Sequence, residues 1–257
     1  MWQAHSILWH YLWVAPNVLL LILVCGLWRR GLDKRYRFFF AFAIASAIEQ
    51  LVVYACDLSP RVSPIVWWRI FWAGLIVEGI LKFALIGEIF SQAFGRYEAL
   101  AKLGKRAIGG VGVVLIFSSA IAAAFAPSDS RFAIIAGAHL LEQTMYIIEF
   151  GVLTAIFGFS AYFRVRMDAS DRGIAIGLAV SACVHLGAWA VTANGGLPDD
   201  KRAVLDFVKM GAYHFCVLIW FYALLFPRRV SVGGIGPALP ENNLDVWNRE
   251  LERLLQQ

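Results

Sequence analysis

The chain has 257 residues, of which 60% are hydrophobic and 16% charged, and its net charge is +5. Soluble domains carry about 25% charged residues, so this composition argues against a water-soluble enzyme. A basic balance in so apolar a chain points to membrane orientation, not to nucleic acid.

A helix crosses a hydrocarbon core about 30 Å thick with about 20 mostly apolar residues. Seven runs of that kind follow one another: 7–28, 38–57, 66–93, 108–126, 132–163, 173–193 and 203–226. The expected fold is all-α, a polytopic membrane protein with seven transmembrane helices. Residues 1–226 form the membrane domain, 227–241 a flexible linker and 242–257 a cytoplasmic amphipathic helix.

No basic residue precedes the first run, so it is expected to stay as an anchor and not to be cleaved as a leader. Pro16 removes a backbone donor within it and should kink the helix. On the second run Ser46, Glu49 and Cys56 share a face. The third carries Glu78 and Lys82, four apart in the favourable order for an ion pair. The fourth is rich in small residues, among them Gly109, Gly110 and Gly112, and reads as a packing element.

The fifth run spans 32 residues and must tilt or extend beyond the bilayer. It places His139, Glu142, Tyr146 and Glu149 on one face, with Gln143 at the edge. On the sixth, Ser181, His185, Trp189 and Thr192 align. On the seventh, Asp206, Lys209 and Tyr213 form a stripe from which His214 is turned away. The linker holds three Pro and three Gly. Beyond it Leu244, Trp247, Leu251, Leu254 and Leu255 form an apolar stripe that suits the inner membrane surface or a cytoplasmic protein partner bound through 241–257.

Sixteen of the 23 Lys and Arg residues fall after the first, third, fifth and seventh runs. The positive-inside pattern then places the N-terminus outside and the C-terminus in the cytoplasm, in a multi-pass protein of the cell inner membrane. Interfacial Trp and Tyr agree: Trp2, Trp9, Trp67, Trp68 and Trp189 at the outer rim, and Trp28, Tyr36, Tyr97, Tyr162 and Tyr222 at the inner. A shift of 135 residues aligns 29–55 with 164–190 at seven identical positions, which suggests a 3+1+3 repeat of parallel halves.

Arg-Tyr-Arg-Phe-Phe-Phe at 35–40, Phe-Trp at 71–72, Gly-Glu-Ile-Phe at 87–90 and Arg-Tyr-Glu-Ala-Leu-Ala-Lys-Leu-Gly at 96–104 add a resemblance. Together they resemble a family of seven-helix membrane proteins abundant in acidobacterial genomes. The resemblance implies the same topology and transfers no site residue.

Any chemistry must lie within the bundle, because the loops are short. Ionisable groups inside a membrane normally face the interior and pair. Counted from the helix ends, Glu49, Glu78, Glu142, His185 and His214 reach similar depths. The expected ligand-binding set is Glu49, Glu78, Lys82, His139, Glu142, Tyr146, Glu149, His185, Lys209, Tyr213 and His214, lining a polar cavity that opens outward. The plainer reading makes the same groups hydrogen-bonded glue between helices.

No metal or cofactor is named by these residues. Glu49, His139, Glu142, His185 and His214 are zinc-ligand types, two His could hold a haem, and Lys209 is a Schiff-base candidate already faced by Asp206. The four cysteines lie within spans without CxxC spacing and read as small hydrophobes. The leading expectation is a non-enzymatic ligand-sensing or partner-binding protein. The alternatives are a small-solute transporter and an intramembrane metal-dependent hydrolase.

Overall fold

The structure is a computed structural model. It describes residues 6–94, 102, 104, 106–110, 113, 114, 117, 130–162, 167–193, 199–226, 249 and 253, with side chains throughout except at 130–141, 193 and 199–201. Six long helices occupy these residues: α1 Ile7–Arg29, α2 Arg37–Leu58, α3 Pro64–Ala93, α4 Ser130–Tyr162, α5 Ala169–Ala193 and α6 Asp199–Leu225. All six contain windows long and apolar enough to cross a bilayer. Among the described residues the regular structure is all-helical, as in a polytopic membrane protein.

Local chemistry sets the helix ends. Ser6 caps α1 by accepting a hydrogen bond from the Trp9 amide, and Ser63 caps α3 through the Val66 amide with Pro64 at the first helical position. At the end of α1, Leu32 N–H donates to the Leu27 carbonyl and Gly31 N–H to the Trp28 carbonyl. This is a Schellman turn, and Gly31 sits at φ +65° where a side chain would be strained.

The helices form a ring in chain order, and α6 closes it by packing on α1. Neighbours α1 and α2 are antiparallel: His10 meets Tyr54 at 2.9 Å, while the Trp13 ring donates to the Gln50 carbonyl at 3.2 Å. Helices α2 and α3 are antiparallel too, with Glu49 against Gly74 and the Phe38 amide donating to Glu88. In contrast α3 and α4 run parallel, since Gly79 approaches Met145 and Lys82 reaches Glu149. The α1–α6 seam is also parallel: Tyr213 donates to Asn17 and Leu225 lies on Gly26.

One end of the ring is packed solid. Phe39, Phe42 and Trp220 are fully buried, with Trp220 edge-on to both phenylalanines at 5.6 and 5.9 Å. The Trp220 indole donates to the Ile174 carbonyl at 3.2 Å and packs against Gly177, where a Cβ would collide with it. Elsewhere the outward faces are apolar: Ile7, Val18, Ile22, Val77, Phe159 and Phe215 are all exposed, as lipid contact requires.

Several expectations change here. Most of the fourth run, 108–126, lies outside the described residues; 106–110, 113, 114 and 117 are helical, and a Cβ at Gly109 or Gly110 would meet nothing. No close packing is made at those two glycines among the described residues. The linker 227–241 and most of 242–257 likewise lie outside the described residues. Of the interfacial aromatics, Trp28, Tyr162, Trp189 and Tyr222 are exposed as expected, but Tyr36 is buried and Trp9, Trp67 and Trp68 line the interior, while Trp2 and Tyr97 lie outside the described residues. The sequence gives depth in the membrane, and depth alone does not separate a lipid-facing ring from an inward one.

Replacing Trp220 by Ala should cost roughly 3 kcal/mol by leaving a cavity under three helices. Thermal unfolding of the detergent-purified variant is expected to shift down by several degrees, and an unchanged midpoint would contradict the packing described.

Candidate functional site

Above the aromatic plug the ring encloses a cavity of about 490 Å³ with residues from all six helices in its wall. Trp9, Trp13 and Asn17 come from α1, and Ser46, Glu49 and Gln50 from α2. Helix α3 supplies Trp67, Trp68, Phe71, Glu78 and Lys82; α4 supplies Glu142 and Tyr146. Ser181 and His185 come from α5, and Asp206, Lys209, Met210 and Tyr213 from α6. Phe42 and Trp220 form the floor. At the other end lies Asp206, whose side chain is 60% exposed, so the cavity opens there.

The centre of the site is Lys82. Its side chain is 6% exposed, and its ammonium lies 3.0 Å from Glu78 and 3.4 Å from Glu149, the latter 2% exposed. The same ammonium sits 4.7 Å from the centroid of the Tyr146 ring, which stacks on His185 at 4.3 Å. A cation placed this deep is stabilised by opposite charge and by the negative face of an aromatic ring. His185 Nδ1 is held 2.9 Å from the Ser181 carbonyl.

A second polar strand runs beside this group. Tyr213 donates to Asn17 at 3.3 Å and lies 3.4 Å from Ser46. Asn17, 1% exposed, donates in turn to the Trp13 carbonyl at 2.6 Å. Nearby Glu49 accepts from Gln50 at 2.9 Å and makes no ion pair among the described residues. Its side chain crosses α3 at Gly74, where any Cβ would overlap it. At the mouth, Lys209 pairs with Asp206 at 2.8 Å, three residues apart on one helix.

A lateral cleft of about 300 Å³ separates α2 from α3 on the lipid side. Ala45, Ile48, Val52, Ile70, Ala73 and Val77 line it, and Ser46, Glu49 and Glu78 belong to both cleft and cavity.

Of the expected set, Glu49, Glu78, Lys82, Glu142, Tyr146, His185, Lys209 and Tyr213 line the cavity. Glu149 stands behind the wall and reaches Lys82 from there. His214 does not line the cavity; its ring packs 5.7 Å from that of Tyr11, as its turn away from the α6 stripe implies. The His139 side chain lies outside the described residues. Trp13, Asn17, Gln50 and Trp220 were not singled out from the sequence. Asn17 had a signal, as an amide within an apolar run. Trp220 had none, because a buried tryptophan and a lipid-facing one look alike in sequence.

Among the described residues no three His, Cys, Asp or Glu side chains come together as a metal site. All four cysteines are free thiols. At the closed end, Arg35 pairs with Asp168, Arg37 lies 3.8 Å from Glu88, and Arg30 donates to the Leu225 carbonyl. Beside them burial, and then the charge of Asp171, holds the Tyr36 hydroxyl above its ordinary pKa, so it stays neutral.

No protein-family model, curated protein or solved structure matches this chain.

Removing Lys82 leaves Glu149 buried without its cation, a change that costs roughly 3–5 kcal/mol. Lys82→Met should therefore unfold well below the wild type in maltoside detergent, and adding Glu149→Gln should recover a large part of the loss. Equal stability of wild type and Lys82→Met would show that the ion group is not buried.

Proposed function

We propose that this protein takes up a small solute from the outer face into the central cavity and acts as a non-enzymatic ligand sensor. The observation that carries this reading is the cavity itself, open at one end, closed by packed aromatics at the other, and walled by all six long helices. A ligand there touches both α1–α3 and α4–α6, so its binding can shift how the two groups pack. The volume lies within the ordinary range of small-molecule sites, about 300–1,000 Å³.

Orientation follows from charge. Arg29, Arg30, Lys34, Arg35 and Arg37 cluster at the closed end, which the positive-inside pattern makes cytoplasmic. The open end then faces outward. Because α3 and α4 run parallel, the chain between them must recross the bundle, which supports a seventh span near 108–126. Seven crossings leave the N-terminus outside and the C-terminus inside, in the inner membrane. Residues 242–257 would then meet a cytoplasmic partner or the membrane surface. Membership of the acidobacterial seven-helix family belongs to the same proposal.

One observation favours transport as a second reading. Shifted by 135 residues, α1, α2 and α3 would cover 142–164, 172–193 and 199–228; the later helices end at Tyr162 and Ala193 and begin at Asp199. The parallel seams α3–α4 and α6–α1 are related in the same way. Such duplicated halves suit alternating access about a central site.

Thiol labelling tests the outward-open cavity. In a variant lacking Cys25, Cys56, Cys183 and Cys216, Met210→Cys should react with a membrane-impermeant thiosulfonate added outside, while Val217→Cys, fully buried one helical stretch deeper, should not. Inert Met210→Cys, or labelling only from the cytoplasmic side, would overturn the reading. Bound solute that never accumulates in proteoliposomes selects the sensor, and saturable accumulation selects the transporter.

A further inference from the structure

We propose that the cavity binds an organic ammonium ion whose apolar tail lies in the cleft between α2 and α3; this rests on the cavity being a ligand site. Three features of different kinds converge on that class of ligand.

The first is formal charge. Glu78 and Glu149 both contact the ammonium of Lys82, and Glu49 lines the same cavity without a cation of its own among the described residues. Lys209 does not redress the balance, because it is paired with Asp206 at the mouth. A cation bound beside Glu49 would hold that buried carboxyl group in its charged form, whereas an anionic solute would find no such partner there. Glu49 is the carboxylate left for such a cation, held by Gln50.

The second is the wall. Trp9, Trp13, Trp67, Trp68 and Tyr146 present aromatic rings to the same space. Aromatic faces attract ammonium and quaternary ammonium groups, most strongly where water is scarce. The site already solvates one ammonium in this way, since Lys82 sits over the Tyr146 ring between two carboxylates.

The third is the lateral cleft. Its wall is aliphatic, and its inner end is formed by Ser46, Glu49 and Glu78, which it shares with the cavity. A charged head at Glu49 stands at the inner end of this aliphatic cleft, so an alkyl chain attached to it would lie between α2 and α3. Gly74 lets the Glu49 side chain lie against α3 at this point, because a Cβ there would overlap it. A neutral polar solute would use neither the charge on Glu49 nor this cleft.

The test uses the full chain in maltoside micelles, which carry no ammonium group, with tryptophan fluorescence as readout. The probes are tetramethylammonium, hexyltrimethylammonium, hexanol and hexanoate. Saturable quenching is expected for both cations, with the hexyl compound bound at least about tenfold more tightly through its buried methylenes. Glu49→Gln should weaken both cations about tenfold. Ala73→Phe, which fills the cleft from an exposed position, should abolish the advantage of the hexyl chain and leave tetramethylammonium unchanged. Hexanoate or hexanol binding as tightly as the cations, or no saturable quenching by any probe, would overturn the proposal. Thiol labelling of Met210→Cys separates the two levels: if it succeeds from outside while the cations fail, the ligand class is wrong and the cavity stands. If it fails, the cavity reading falls as well.

Discussion

An ammonium ion in the middle of a membrane must be surrounded by groups that replace its water, and Lys82 fixes much of this structure by that requirement. A lone charge at the centre of a helix costs about 2.5–3.5 kcal/mol on insertion scales. Glu78 comes from the same helix, one turn away, and could pair in an isolated α3. Glu149 and Tyr146 come from α4. The need to enclose Lys82 therefore joins α3 to α4 as parallel neighbours, and that seam is where the first three helices meet the last three.

The opposite seam, α1 against α6, is held differently. There Asn17, Tyr213 and Ser46 form a chain of neutral hydrogen bonds, and Leu225 packs on Gly26. One seam is ionic and one neutral, with the cavity between them. Below both, Trp220 fills the space among Phe39, Phe42 and Gly177, so the ring is sealed toward the end rich in arginine. Aromatic packing at that end and open space at the other give the molecule its polarity. Space that is closed on one side and charged at its centre can hold a solute without passing it through.

Much of this was legible in residues alone. The six described spans fall within a few residues of the apolar runs, because length and apolarity dominate helix formation in lipid. The Glu78–Lys82 pair follows from helical spacing, and the stripe Glu142, Tyr146, Glu149 does face inward. Helical spacing cannot say which neighbour a stripe meets, so the reach of Lys82 to Glu149 became visible only in three dimensions. Trp9, Trp67 and Trp68 sit at interfacial depth, yet they line the cavity. Asn17 is an amide in an apolar run and so needs a partner, and Tyr213 is one that spacing along a single helix cannot reveal. The cleft between α2 and α3 had no sequence signature, since aliphatic residues facing lipid and aliphatic residues lining a cleft are the same residues.

An experimental density map of the protein in lipid nanodiscs, sharp enough to show ordered water, bears on the central claim most directly. The account predicts Lys82 enclosed by Glu78, Glu149 and Tyr146, with water or ligand density filling the space between Lys82 and the Asp206 end, and none below Trp220. Lys82 turned toward lipid, or that space filled by side chains, would contradict it.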